Sequence, residues 1–126
     1  MIGIEIDRMS EPIVAVIEDP FIRKLLRDIL TRHGYRIVES TARQVGDLLR
    51  TGVGHIDMVI TNTPGELLEF AGELPVLYLA ACPDPDLAAR FRCCRAVKKP
   101  FLAERLLTAL AELTEQGAME ESPVGR

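Results

Sequence analysis

Polar and charged residues end three of the short apolar runs of this sequence. Glu18 and Asp19 follow the first run, Asn62 follows the third, and Lys99 follows the fifth. Carboxylate, amide and ammonium groups brought together can bind a polar ligand, whereas nucleophilic catalysis needs a nucleophile paired with a base. No such pair follows these runs. The sequence therefore predicts a binding site and no enzymatic activity.

The runs alternate with amphipathic segments, which is typical of βαβ units and a parallel sheet. The first run, Ile13–Ile17, is continuously apolar, as expected of a strand covered on both faces. In the helix that follows, Asp19 is the predicted N-cap, Pro20 lies in the first turn and Gly34 ends the helix. The predicted fold class is α/β.

The same patterns predict four more strands and four more helices. The strands cover residues 35–39, 58–61, 76–81 and a brief stretch near 96–97, and the helices lie near 41–52, 66–71, 87–91 and 102–113. In an open parallel sheet, ligands bind outside the carboxyl ends of the strands, where the strand order reverses. The residues delivered to that edge are Ile17, Glu18, Asp19, Asn62, Ala80, Ala81 and Lys99.

Composition limits the class of protein. A chain of 126 residues, 48% of them hydrophobic, can bury one core without disulfides or metal. The net charge of -4 argues against a globally basic nucleic-acid binder. The cysteines 82, 93 and 94 form neither a disulfide framework nor a zinc motif, and no apolar run could cross a bilayer. We expect a cytoplasmic protein that binds neither nucleic acid nor membrane.

The sequence resembles the receiver domains of two-component response regulators, the flavodoxin-like phospho-acceptor modules of bacterial signalling. The resemblance spans residues 13–116 and rests on IVAVIEDPFIRKLLRDILTRHGYRIVES, DMVITNTPG, LPVLYLAA and VKKPF. It implies a (βα)5 three-layer sandwich around a five-stranded parallel sheet of order 2-1-3-4-5. We expect residues 1–11 to be a loosely ordered segment, 12–116 the receiver-like domain and 117–126 a flexible tail.

The resemblance also implies where the chemistry of a receiver would lie. A working receiver binds Mg²⁺ through two acids after the first strand and an aspartate after the third, and that aspartate accepts a phosphoryl group from a histidine kinase. A gap-free alignment places Ile17 and Glu18 at the two acid positions, with Asp19 one position beyond. Asn62 occupies the phospho-acceptor position.

Four positions depart from the family pattern. An amide is uncharged and a poor nucleophile, so Asn62 should not form an acyl phosphate. Ile17 replaces an acid, Ala80 replaces the Ser/Thr that reports the phosphoryl group, and Ala96 replaces the aromatic switch. Only Lys99 keeps the family's residue type. The departures predict a pseudo-receiver without the phospho-acceptor aspartate.

The acids leave three readings open. As the weak metal candidate, Glu18 would have only Asp19 and neutral oxygens beside it, so we expect weak Mg²⁺ binding or none. A one-residue slip with a bulge before Pro20 would instead make Glu18 and Asp19 the acid pair of a still metal-binding receiver. Alternatively, both acids serve only the helix N-terminus, and Asn62 bonds the backbone of its own turn.

The loops near the predicted site are short. Only thirteen residues lead from Asn62 to Pro75, so the third helix has two turns at most, and the stretch from Ala80 to Lys99 is also trimmed. In receivers the corresponding loops cover the phosphorylation pocket. We therefore expect this edge to be open to solvent.

A basic stretch without an acid precedes the last helix. It is a solvated face or, alternatively, a surface for an acidic protein partner; nucleic acid ranks last because no aromatic platform accompanies the charges. In receivers, helix 4, strand 5 and helix 5 form the face where dimers and output partners bind. The possible partner surface comprises Arg90, Arg92, Arg95 and Lys98, with Lys99 beside it.

The sequence as a whole predicts a receiver-like protein of a two-component or phosphorelay system that is independent of phosphorylation. It would bind a histidine kinase, a response regulator or another signalling protein, with a possible homodimer through the helix 4, strand 5, helix 5 face. The alternative is a sensor of a small ligand or nucleotide at the edge near Glu18, Asn62 and Lys99.

Overall fold

The computed structural model describes residues 11–52 and 54–121, with the side chains described as far as residue 115. Five strands alternate with five helices. The strands are β1 (Ile13–Ile17), β2 (Arg36–Glu39), β3 (Met58–Thr61), β4 (Val76–Ala80) and β5 (Cys94–Lys98). The helices are α1 (Pro20–Arg32), α2 (Ala42–Thr51), α3 (Pro64–Phe70, a 3₁₀ helix), α4 (Pro85–Ala88) and α5 (Ala103–Glu121).

The five strands form one parallel sheet in the order β2-β1-β3-β4-β5, which confirms the predicted flavodoxin-like fold. β1 lies in the interior of the sheet and pairs with both β2 and β3. Its register with β3 is continuous from Val14 opposite Met58 to Ile17 opposite Thr61. The interior strands are buried because helices cover both faces, and this explains why their sequences are apolar at successive positions.

Alternate residues of β1 enter two separate cores. Val14 and Val16 pack in a cluster that includes residues of α1 and α5, such as Leu30 and Leu110. Ala15 packs on the opposite face in a second cluster, with residues of α2 and α3. Because successive side chains of a strand point to opposite faces, a continuously apolar strand supplies both cores. The result is the predicted three-layer sandwich.

The starts of α1 and α2 place polar residues at the carboxyl edge of the sheet. Asp19 accepts a hydrogen bond from the backbone nitrogen of Ile22 at 3.0 Å, which confirms it as the N-cap of α1. Thr41 and Gln44 form a reciprocal capping box at the start of α2, with distances of 3.0 and 3.1 Å. Both caps fix the helix entrances immediately after a strand.

Several element boundaries differ from the sequence prediction. The fifth strand runs from Cys94 to Lys98, longer than the brief stretch predicted, because an edge strand that carries Arg95 and Lys98 shows no apolar run. Conversely, the second strand begins at Arg36, since the backbone nitrogen of Tyr35 bonds to Leu30 O at 3.1 Å and closes the end of α1.

The ends of the chain were predicted to be loosely ordered. Residues 1–10 and 122–126 lie outside the described residues. The last helix, α5, extends to Glu121 and thus passes the domain boundary expected at residue 116. No helix in the described ranges has the length and apolar character needed to cross a bilayer.

The cysteines differ in burial and should differ in reactivity. Cys82 is exposed, Cys93 is buried on the α1–α5 face and Cys94 packs towards the opposite core, so the two adjacent cysteines lie on opposite sides of the sheet. Burial raises the pKa of the Cys94 thiol to about 11, although the charge of Arg95 opposes this shift.

A thiol reagent should therefore modify one cysteine quickly. At pH 9 less than about 1% of the Cys94 thiol is ionised. Because the thiolate is the nucleophile, Cys94 should react slowly at this pH and faster as the pH rises. We expect one fast phase between pH 7 and 9, measured by thiol release or intact mass, and its disappearance in Cys82→Ser. Two fast phases in the native protein would contradict the burial of Cys93 and Cys94.

Candidate functional site

The carboxyl ends of the strands carry the residues predicted to form the site. The connection from β1 leads to β2 on one side of the sheet, and the connection from β3 leads to β4 on the other side. The strand order therefore reverses between β1 and β3, and their loops diverge to open a crevice. Glu18 and Asp19 enter this crevice from β1, and Asn62 enters it from β3.

Glu18 forms an ion pair that spans the edge of the sheet. Its side chain is wholly buried, and its Oε1 lies 3.2 Å from Nζ of Lys99, which follows β5. The same oxygen accepts a longer bond of 3.4 Å from the backbone nitrogen of Asp19. A buried carboxylate is unfavourable without a counter-charge, and the Lys99 ammonium group supplies it. The ammonium group of Lys99 is thus already paired with a carboxylate of the protein, that of Glu18.

The second carboxylate oxygen of Glu18 is buried and has no hydrogen-bond partner among the described residues. An unsatisfied buried acceptor is uncommon and raises the question of what donates to it. Lys99 donates to the other oxygen, so it does not answer this question.

Asp19 points away from this pair. It is exposed and caps α1, and β1 reaches Ile17 in continuous register with Pro20 already in the helix. The strand therefore has no bulge that would turn Glu18 and Asp19 towards a common centre, as the slipped alignment requires. Of the alternatives, the capping role of Asp19 is confirmed.

The residues at this edge do not fit a Mg²⁺ ion. The ion requires about six oxygen ligands in octahedral geometry. The Glu18 carboxylate is paired with Lys99, the Asp19 carboxylate is occupied by the helix cap, and Asn62 offers a neutral oxygen. Within the described residues, no group of three or more His, Cys, Asp or Glu side chains is arranged to hold a metal ion.

Asn62 is exposed and makes no hydrogen bond to the residues that the structure describes. The expectation that it bonds its own turn is wrong, because the preceding residue does so: Thr61 is fully buried, and its Oγ1 accepts from the backbone nitrogen of Thr63 at 3.0 Å. Thr63 Oγ1 in turn donates to Glu66 at 3.0 Å. The amide of Asn62 is left available to solvent or to a ligand.

A cavity of about 400 Å³ opens where β1, β2 and β3 end. The predicted residues Ile17, Glu18, Asp19 and Asn62 come together on its wall, and the cavity is open to solvent as the short loops suggested. Lys99 does not line it. The remaining lining residues are Arg23, Ser40, Thr41, Ala42, Arg43 and Glu66.

Sequence analysis missed the contribution of β2 to this cavity. Arg23 lies in the first turn of α1 and Arg43 in the first turn of α2, each shortly after a strand end. A basic residue within a few positions of a strand end was the available signal. This signal was ambiguous, because an isolated arginine on an amphipathic helix is also expected on a face exposed to solvent.

The other two substituted positions lie outside the cavity. Ala80 ends β4, and its carbonyl oxygen accepts a 2.8 Å bond from the backbone nitrogen of Lys99. Ala96 is exposed in the edge strand β5, opposite Tyr78. Ala80 and Ala96 thus belong to the β4–β5 part of the sheet, apart from the cavity at β1–β3, and the Glu18–Lys99 pair connects the two regions.

The residues of the predicted basic surface differ in their contacts. Arg95 pairs with Glu112 of α5, with Nε and Oε1 2.9 Å apart. Arg92 donates to the carbonyl oxygen of Gly72 at 3.4 Å. Lys98 is exposed and lies three residues along β5 from Arg95, so the alternation of the strand turns it to the opposite side of the sheet.

Solved structures similar to this chain include several receiver domains. The signal receiver domain of an HD domain-containing protein from Pseudomonas fluorescens Pf-5 matches with a TM-score of 0.74 and 23% identity, over 90% of this chain and 93% of that one. A response regulator receiver protein from Sinorhizobium medicae WSM419 gives 0.66 and 18%, over 83% and 95%.

The chemotaxis response regulator CheY4 of Vibrio cholerae also matches, with a TM-score of 0.64 and 20% identity over 81% of this chain and 97% of that one. At these identities the likeness shows the shared fold. No family model and no curated protein matches the sequence.

Proposed function

We propose that this chain is a receiver-like signalling protein of a two-component or phosphorelay system that works without an aspartyl phosphate. It acts in the cytoplasm, has no catalytic role, and binds a histidine kinase, a response regulator or another signalling protein. The fold shared with receiver domains supports the signalling class. The observation that carries the rest is the Glu18–Lys99 ion pair beside Asn62.

The chemistry of Asn62 supports independence from phosphorylation. An acyl phosphate forms when a carboxylate oxygen attacks the phosphoryl group, and the amide of Asn62 lacks both the charge and the nucleophilicity for this attack. Phosphoryl transfer also needs a cation to neutralise the charge that develops on the transferring group. The oxygen donors at this edge do not supply a metal site of that kind.

The energy of the ion pair supports the same conclusion. For Lys99 to contact a phosphoryl group, it would have to leave Glu18, whose side chain is wholly buried. Removal of one partner from a buried pair costs about 3–5 kcal/mol, because the remaining charge is uncompensated. The pair therefore holds Lys99 in one position and opposes its use as a phosphoryl ligand.

The residues at positions 80 and 96 support the absence of a conformational switch that responds to a phosphoryl group. Ala80 has no hydroxyl that could sense a phosphoryl group, and Ala96 has no ring that could change position. A signal would then depend on the surface that the protein presents at all times. β5 is an edge strand with Ala96 and Lys98 exposed, and α4, β5 and α5 together form the face that we assign to a partner or a second copy.

The direct test is the intact mass of the protein after incubation with Mg²⁺ and acetyl phosphate. We expect no phosphoryl adduct, whereas a receiver domain with its acceptor aspartate, treated in parallel, should be labelled. Asn62→Asp should remain unlabelled too, because Glu18 and Lys99 stay paired. A stoichiometric adduct on the native chain would refute the proposal, and labelling of Asn62→Asp alone would refute our interpretation of the ion pair.

A further inference from the structure

The cavity at the ends of β1, β2 and β3 contains two arginines without a close partner. Arg23 and Arg43 form no hydrogen bond or ion pair with any residue that the structure describes. Three other arginines, Arg27, Arg50 and Arg95, each hold a carboxylate. Arg23 and Arg43 are therefore two fork-shaped sets of donors that remain available at an open cavity.

The two arginines lie near the end of the same strand. Arg43 follows the last residue of β2, Glu39, by four positions. Arg23 is close enough that its charge contributes to the lowered pKa of Glu39, after the larger effects of the hydrogen bond and charge of Arg27. Ser40 and Thr41 line this wall as well; Ser40 Oγ donates to Val38 O at 3.4 Å, and Thr41 Oγ1 accepts from Gln44 N at 3.1 Å. This wall suits a phosphate group, whose oxygens accept several hydrogen bonds.

The opposite wall has the complementary character. Asn62 and Glu66 follow β3, and the amide of Asn62 is without a hydrogen bond to the described residues. Glu18 borders the cavity as well, although its side chain is wholly buried and paired with Lys99. These groups suit a ligand that offers hydroxyl or amino hydrogens. The two walls therefore favour a ligand that has a phosphate at one end and hydroxyl or amino groups at the other.

The strand order fixes the distance between the walls. β2 and β3 lie on either side of β1, so their ends are two strand spacings apart, about 10 Å. Side chains extend from both strand ends into this gap, so the distance left between them suits a phosphorylated sugar or a mononucleotide. A cavity of about 400 Å³ falls in the usual size range of small-molecule sites.

We propose that this cavity binds a small phosphate ester, with the phosphate held by Arg23 and Arg43 and the hydroxyl or amino groups of the ester directed to Asn62 and Glu66. Binding is non-covalent and leaves the phosphate intact. The site does not depend on the proposed signalling role, because ligand binding here requires neither Lys99 nor a covalent phosphoryl group on Asn62.

The first test uses inorganic phosphate as the probe. Phosphate is added to ¹⁵N-labelled protein at constant ionic strength, and backbone amide shifts are followed by NMR. We expect saturable shifts at residues 23 and 41–43, at millimolar concentrations. Arg23→Gln and Arg43→Gln should each weaken binding tenfold or more, whereas Arg90→Gln should leave it unchanged. Arg90 is the matched control because it is exposed, distant from the cavity and loses the same charge.

Circular dichroism of each variant, with its thermal midpoint, verifies that the fold is retained. The proposal is overturned if phosphate produces no saturable shift, or if the shifts persist when both cavity arginines are replaced. Neither result would bear on the phosphodonor experiment, which measures a covalent adduct, so failures of the two proposals are distinguishable.

The second test addresses the opposite wall with ribose 5-phosphate. We expect it to bind at least tenfold more tightly than inorganic phosphate, and free ribose to bind much more weakly than the ester. Asn62→Ala should remove most of the gain of the ester over phosphate while leaving phosphate binding intact. Equal affinity for the ester and for phosphate would reduce the site to an anion site and overturn the role assigned to Asn62 and Glu66.

Discussion

Lys99→Met should lower the free energy of unfolding by about 3 kcal/mol, because it leaves the carboxylate of Glu18 buried without a counter-charge. The Glu18 side chain is 0% exposed and that of Lys99 is 23% exposed, so water screens this pair poorly. The measurement is urea unfolding followed by circular dichroism, with the slope of the transition unchanged. Lys98→Met is the matched control. Lys98 is exposed, so its replacement should change stability by less than about 0.5 kcal/mol.

The double variant Glu18→Met/Lys99→Met separates the ion pair from packing. Replacement of both partners by apolar side chains removes the uncompensated charge, so the double variant should regain most of the stability lost in Lys99→Met. If Lys99→Met lowers the free energy of unfolding by no more than Lys98→Met does, the pair is not buried in solution. The ion pair would then not keep Lys99 from contacting a phosphoryl group.

Leu110→Ala should lower the free energy of unfolding by about 3 kcal/mol, since it removes a fully buried side chain from the core between α1, α5 and the sheet. The loss combines the transfer energy of the missing carbons with the cavity they leave. Leu102→Ala is the control, because Leu102 lies just before the same helix and is 66% exposed. Its replacement should change stability by less than about 0.5 kcal/mol.

The comparison between the two leucines tests how α5 packs on the sheet. α5 follows the loop that carries Lys99, so its seating helps to determine where the Lys99 side chain lies. Equal effects in urea unfolding would show that α5 is not held by Leu110, and the position of Lys99 would then need another explanation.

The proposed signalling role and the proposed phosphate-ester site use different parts of one edge. The Glu18–Lys99 pair links the ends of β1 and β5, whereas the proposed ester site is the open cavity at β1–β3. A protein with both properties could present its partner surface constantly and still respond to a small phosphorylated molecule. The NMR titration and the phosphodonor experiment address these two properties separately.

Local sequence patterns were sufficient to predict those structural elements that neighbouring residues determine. The apolar run of β1, the cap at Asp19 and the helix of α1 all follow from neighbouring residues, and the structure has each of them. The cap of α2 is local as well, because Thr41 and Gln44, three residues apart, form its capping box. The length of β5 was underestimated, because an edge strand does not require apolar residues at every position.

By itself, the sequence determined the alternation of strands and helices, the strands that would be buried, and the arrival of Glu18, Asp19 and Asn62 at one edge. These follow from hydrophobic periodicity and from the direction of parallel strands. Only the tertiary structure decided that Lys99 pairs with Glu18, eighty-one residues away, and that Arg23 and Arg43 share a cavity with Asn62. Such contacts depend on the lateral order of strands and on side-chain direction, which no local pattern encodes.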